Sequence, residues 1–224
     1  MIHIQQISKT YGNKTALHSL TAEIVPGMCT ALCGGNGAGK STLLYMLAGI
    51  LKPDSGKISG MEQYTVGYMP DHLSLPTGVS ARHWLLYLAK LKQVRKQRVD
   101  EVLDVTGLLE VADREPSTYS RGMMQRLLFA QMILGKPDVL LMDEPGNGLD
   151  PFWVEEWKDW VQRYREKGAT IIFSSHLLHD VLAVADHILL IHRGHLLANE
   201  TADTWREDSR TPEQRFLEMS KNFL

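Results

Sequence analysis

The stretch Gly34-Gly35-Asn36-Gly37-Ala38-Gly39-Lys40-Ser41-Thr42 constrains this chain more than any other. It sets Gly34, Gly39, Lys40 and Ser41 at G-x-x-x-x-G-K-[ST] spacing. Glycines let the backbone curl so that successive N–H groups point inward and form a nest for phosphate oxygens. At that spacing the Lys40 ammonium reaches the β- and γ-phosphates of a nucleoside triphosphate, and the Ser41 hydroxyl reaches Mg²⁺. The apolar run 28–33 before the loop reads as a buried strand, and residues 41–50 after it read as a helix carrying Leu43, Leu44, Met46 and Leu47. The phosphates would then sit at a helix N-terminus, where unpaired N–H groups favour anions. A glycine-rich turn that binds nothing has no need of strand, lysine, hydroxyl and helix in this order, so the sequence predicts a nucleoside triphosphate site.

The other features bound the rest of the chain. Its 224 residues suffice for one large domain or a domain with a subdomain. A formal charge of −2 and a pI near 6.5 give no bulk argument for nucleic acid, and no nucleic acid partner is expected. Cys29 and Cys33 lie on one extended run, about 13 Å apart at strand rise, so they cannot form a disulfide. They read as buried thiols of a reducing compartment. The N-terminus lacks the basic-then-apolar pattern of a signal peptide. No run of 18 apolar residues is present, so nothing is expected to span a bilayer.

Residues 2–5 and 20–25 alternate apolar and polar on either side of a turn at Tyr11-Gly12-Asn13-Lys14, which predicts an antiparallel β region. Tyr11 on that turn is either a platform for a purine ring or an ordinary surface aromatic. Residues 57–60 and 64–69 read as short strands. Residues 79–110 have helical periodicity, and 72–135 form a helical insertion between strands of the core sheet. The basic run 90–98 lacks interleaved aromatics and reads as a solvated helical face. Val139 to Met142 is an apolar strand ending in Asp143 and Glu144. The first carboxylate is placed to hold Mg²⁺ and the second to polarise an attacking water. Trp153, Trp157 and Trp160 form one helical stripe expected to pack on the sheet. Residues 169–174 form another buried strand, and His176 just beyond it is placed to face a γ-phosphate. A hairpin around Arg193-Gly194 and a short polar helix to Leu224 complete the chain. Strands alternating with helices predict an α/β fold with a mainly parallel sheet.

Taken in order, these motifs resemble the nucleotide-binding subunit of an ATP-binding cassette (ABC) transporter over nearly the full length. Residues 34–42 match that family's Walker A loop and 139–144 its Walker B strand. Tyr11 matches the adenine-stacking aromatic, Gly148-Leu149-Asp150 the loop that contacts the partner subunit, and His176 the switch histidine. Tyr119-Ser120-Arg121-Gly122-Met123 stands where the family signature is expected. The resemblance implies a P-loop NTPase core with an N-terminal antiparallel β region, formed by 1–71 and 136–224, and a helical signature subdomain at 72–135.

The resemblance further implies that two cassettes pair head to tail around two ATP molecules. Residues 36–42 would hold ATP in one subunit, while Ser120, the N–H groups around Gly122, and Asp150 would complete the site from the other. Lys40, Glu144 and His176 become the catalytic residues, and Ser41, Asp71 and Asp143 the Mg²⁺ ligands. The implied partners are a transmembrane permease subunit, docking near 71–87, and a second ABC subunit, identical or not, at the cytoplasmic face of the cell membrane.

Three departures mark the sequence. Gly35 replaces the more usual Pro. The Gly122-Met123 form of the signature is similar to bacterial exporter subunits and favours export. Asp71 stands where the family usually has a Gln. The rival functions are a soluble cassette ATPase of DNA repair or translation and a non-hydrolysing ATP-binding regulator. The first would call for a second cassette or a long coiled-coil or zinc insertion. Against the second stand the retained Lys40, Asp143, Glu144 and His176.

Overall fold

A computed structural model describes residues 1–221. Two sheets form the frame. The smaller has the order β2-β1-β4, with β1 (Ile2–Tyr11) paired antiparallel to both β2 (Lys14–Ile24) and β4 (Ser55–Ser59). The larger contains β3 (Cys29–Cys33), β5 (Val66–Met69), β6 (Val139–Met142), β7 (Thr170–Ser175), β8 (His187–His192) and β9 (His195–Thr201). Its order is β5-β6-β7-β3-β8-β9, parallel except for β9, which closes a hairpin with β8. Helix α1 (Lys40–Leu47) follows β3, while α2 (Ala81–Leu91), α3 (Gln97–Val105) and α4 (Arg121–Ile133) all fall between β5 and β6. Helices α5 (Pro151–Glu166) and α6 (Leu178–Val184) flank β7, and α7 (Ala202–Arg206) and α8 (Pro212–Ser220) follow β9.

The large sheet is covered on both faces, which is why its strands read as continuous apolar runs. The side-chain period of two divides each strand between two cores. Val139 and Leu141 of β6, Ile172 of β7, Leu189 and Ile191 of β8 and Leu32 of β3 pack with the small sheet and α1. Leu140, Met142, Ile171, Phe173, Ile188 and Leu190 point the other way, toward the remaining helices. The tryptophan stripe spans two supports rather than one. Trp157 packs edge-on against Phe173 of β7, centroids 5.3 Å apart, while Trp160 stacks on Phe129 of α4 at 4.6 Å.

Four local expectations change. Strands β1 and β2 run through the polar stretches that the alternation left out. Register shifts between Ile4 and Ile7 and positive φ at Gln6 and Ser19 let them do so. The two short strands after α1 join different sheets. The basic run 90–98 is not one helical face: α2 ends at Leu91, Gln93 takes φ 55°, and Arg98 turns inward with its side chain 14% exposed. The C-terminal segment is two helices, and α8 opens with Pro212 and a capping box between Thr211 and Gln214. Residues 222–224 of the helix expected to reach Leu224 lie outside the described residues.

A seam ties the last hairpin to the phosphate loop. The His18 N–H donates to the Gly194 carbonyl at 2.8 Å, and the Gly194 N–H donates to the Ala38 carbonyl at 2.9 Å. The His18 and His195 rings stack across the seam, 4.1 Å apart. Gly194 has φ 81°, and a Cβ there would lie 2.8 Å from the Ala16 carbonyl oxygen. Gly194→Ala should therefore cost about 1–3 kcal/mol of stability, read as a lower urea midpoint at unchanged slope.

Candidate functional site

Chain topology delivers the predicted residues to one place. Parallel strands present their C-terminal ends along a single edge of the sheet, and ligands of open α/β sheets bind outside that edge. Strand β3 lies between β7 and β8 and runs into the glycine loop at its end. Asp143 and Glu144 follow β6, His176 follows β7, and Asp71 lies just past β5. Tyr11 reaches the same cleft from the end of β1. A cavity of about 330 Å³ is lined by Tyr11, residues 36–42, Asp71, Asp143 and Glu144, together with Lys14 and Ala16.

Glycine is required at two points of the loop. A Cβ on Gly34 would sit 2.0 Å from the Ile191 carbonyl oxygen, and one on Gly39, at φ 110°, would sit 2.5 Å from that of Ala16. The loop is thus pressed against its neighbours with no room for side chains there. Lys40, only 6% exposed, folds back over the loop. Its ammonium donates to the Gly34 carbonyl at 2.7 Å and the Gly35 carbonyl at 3.2 Å, and pairs with Glu144 at 3.2 Å. A bound phosphate would have to take this cation from those partners.

Glu144 holds φ 47°, an uncommon backbone conformation for a residue with a side chain. Its carboxylate also accepts from His176 Nδ1 at 2.8 Å. Asp71 turns its carboxylate into the cleft, where it accepts from the Asn147 amide at 3.2 Å and lies 3.1 Å from His72 Nε2. Its backbone carbonyl accepts from Gln125 of α4 at 2.9 Å. That bond ties the segment after β5 to the helix that begins at the signature. The buried Cys33 thiol, beneath the loop, is pushed up to about 12 by burial and is no nucleophile near neutrality.

Among the described residues, no group of three His, Cys, Asp or Glu side chains could by itself hold a metal ion. That suits Mg²⁺, which binds through one or two carboxylates and completes its shell with waters and substrate phosphates. Asp143 is buried at 4% exposure and stands beside the Ser41 end of the loop, so the donor set fits such an ion.

Not every predicted residue lies in this cavity. Ser120 caps α4, its hydroxyl accepting from the Met123 N–H at 3.2 Å. Asp150 caps α5, accepting from the Trp153 N–H at 3.1 Å. The two ends pack together: a Cβ on Gly122 would lie 3.3 Å from the Gly148 carbonyl oxygen. Ser120 and Asp150 are exposed, so both belong to a surface beside the cavity rather than to its wall.

The ABC transporter family model matches residues 17–147. This chain belongs to the ABC transporter family of ATP-binding proteins. It is 32% identical over 210 residues to the lantibiotic transport ATP-binding protein SrtF of Streptococcus pyogenes, covering 91% of this chain and 92% of that one. To the bacitracin transport ATP-binding protein BcrA of Bacillus licheniformis it is 32% identical over 222 residues, covering 94% and 72%. Among solved structures, an ATP-binding subunit of an ABC transporter superposes with a TM-score of 0.87 at 26% identity, covering 98% and 99% of the two chains. ABC proteins bind ATP and are ATPases as a family, and the architecture is the P-loop NTPase cassette fold.

Sequence reasoning missed Ser174. Its hydroxyl, fully buried, donates to Asp143 Oδ1 at 2.6 Å and accepts from the Glu144 N–H at 2.8 Å. One oxygen thus fixes both carboxylate-bearing residues. The register pairs Leu141 with Ile172, which sets Asp143 and Ser174 side by side two residues later. The signal was a hydroxyl directly after the buried run Ile171-Ile172-Phe173, since a buried polar group needs a partner. Ser174→Ala should cost about 1–3 kcal/mol of stability, because it strands a buried carboxylate oxygen and an N–H. A shift in urea unfolding below about 0.5 kcal/mol would mean that water replaces both bonds.

Proposed function

We propose that this chain hydrolyses ATP as one of two cassettes that drive a transporter, with export as the direction. The observation that carries the reading is the convergence of Lys40, Asp143 and Glu144 at the loop, with His176 Nδ1 meeting the Glu144 carboxylate at 2.8 Å from a neighbouring pocket. In this reading Lys40 and residues 36–42 hold the triphosphate, and Tyr11, half exposed at the cavity mouth, stacks on the base. Glu144 accepts a proton from the attacking water. His176 orients Glu144 and faces the γ-phosphate. Ser41, Asp143 and Asp71 would hold Mg²⁺, which supplies neutralisation of the developing phosphate charge.

The placement of Ser120, Gly122 and Asp150 outside the cavity supports completion of the site by a second copy or a second cassette. Ser120 and the N–H groups at the start of α4 would then donate to the γ-phosphate across the interface. Residues 72–135 would act as a helical unit separate from the core formed by 1–71 and 136–224. A transmembrane permease subunit would dock near 71–87, beside the link between Asp71 and Gln125, and hold this chain at the cytoplasmic membrane face. No helix among the described residues is long and apolar enough to cross a membrane. Export draws on the Gly122-Met123 form of the signature.

Glu144→Gln should keep ATP binding and lower turnover by roughly 10²–10⁴. It should also accumulate a nucleotide-bound dimer, read by phosphate release alongside gel filtration with ATP. Near-normal hydrolysis by that variant would remove Glu144 as the base. Asp71→Gln should retain hydrolysis but need more Mg²⁺ for half-maximal rate, because a carboxylate attracts the ion more strongly than an amide. An unchanged Mg²⁺ titration would take Asp71 out of the ion's shell.

A further inference from the structure

A second cavity lies at the opposite end of the large sheet, where β6 and β7 begin. Its volume is about 510 Å³, within the range of small-molecule sites. Val105 at the end of α3, 45% exposed, and the half-buried Tyr164 of α5 give it an apolar and aromatic floor, and Trp160 lies one turn before Tyr164, only 3% exposed. Around that floor stand Arg98 of α3, Lys136 before β6, and Arg163 and Lys167 at the end of α5.

Three of these cations are poorly neutralised. Asp138 is the one acid among the lining residues. It already accepts from the Thr65 N–H at 2.8 Å and the Thr65 hydroxyl at 2.7 Å, bonds that hold its carboxyl below the usual range. Arg163 reaches a carboxylate, Asp159, only at 4.0 Å, and both side chains are about two-thirds exposed, where such a pair contributes little. Among the described residues no carboxylate lies within ion-pair distance of Lys136, and the Lys167 ammonium lies 5.7 Å from the Tyr164 ring centroid. Arg98 is the exception: it is paired with Glu101 at 3.0 Å and donates to the Ile133 carbonyl, although its Nε is buried without a partner. With Arg98 neutralised by Glu101, Lys136, Arg163 and Lys167 make a local positive field beside Tyr164, in a protein of net charge −2.

We propose that this cleft binds an amphipathic organic anion: a flat aromatic or acyl body lying against Val105 and Tyr164, with a carboxylate, sulfonate or phosphate among Lys136, Arg163 and Lys167. Val105 and the Tyr164 ring supply contact area. The cationic rim selects against the neutral analogue, since charge-assisted hydrogen bonds are lost without the acid group. Such a ligand would bridge α3 to α5 at the sheet edge opposite the glycine loop.

The test uses 1-anilinonaphthalene-8-sulfonate, with the full chain saturated with ATP and Mg²⁺ so that the glycine loop is occupied. Binding should give enhanced dye emission excited through tryptophan. Trp160→Phe should keep the affinity and reduce that sensitised emission. Arg163→Glu with Lys167→Glu, both at exposed positions, should weaken binding at least 10-fold, and N-phenyl-1-naphthylamine, the same body without the sulfonate, should not respond to the reversal. Equal dye affinity in the charge-reversed and original proteins would overturn the proposal. So would equal loss of both dyes. If the double variant proves misfolded by circular dichroism, Lys136→Glu alone decides by the same comparison.

Discussion

Everything at the candidate site depends on the burial of β3 on both faces. All five of its residues are buried, with β7 on one side and β8 on the other. A strand so placed cannot shift register without moving apolar side chains between two cores. The loop that follows it therefore starts from a fixed point and fixed direction. The same constraint acts on β6 and β7, whose alternate residues are divided between the two cores. Three separate stretches of sequence thereby deliver Lys40, Asp143 with Glu144, and His176 to one edge.

Within that frame the site balances its own charges. The Lys40 ammonium is shared among two loop carbonyls and the Glu144 carboxylate, and Glu144 is shared between Lys40 and His176. Ser174 fixes the backbone beneath both carboxylates from a neighbouring strand. An incoming triphosphate enters as an exchange of partners: its oxygens would replace carbonyls and a carboxylate around the same cation. The unusual φ at Glu144 sits where that exchange would occur, and strain of this kind persists only where the surroundings hold it.

Much of this was legible in the sequence, and the failures have physical causes. The glycine loop announces itself because its backbone demands glycine and its chemistry demands Lys and Ser. The Asp143-Glu144 pair is visible because charge ends an apolar strand. Strands β1 and β2 extend beyond their alternating segments because irregularities at Gln6 and Ser19 break the period of two. The basic run was read as continuous because a left-handed Gln93 leaves no mark on composition. Thr211-Pro212-Glu213-Gln214 did carry a helix-start signal for α8 that a reading by polarity alone passes over. Ser174 was hidden for a different reason. Its partners are set by the pairing of β6 with β7, and register between strands far apart in sequence is not written in either strand.

The two cysteines have a practical consequence. Cys29 and Cys33 are free, fully buried, and both thiols are raised by burial, so in the folded protein neither offers a thiolate to a maleimide reagent. The native chain is already a silent background for site-specific labelling. A single cysteine introduced at an exposed position outside the site, such as Lys57 or Arg95, would carry a dye or spin probe without any prior removal of native thiols, and distances between two labelled copies could then be followed through a nucleotide cycle.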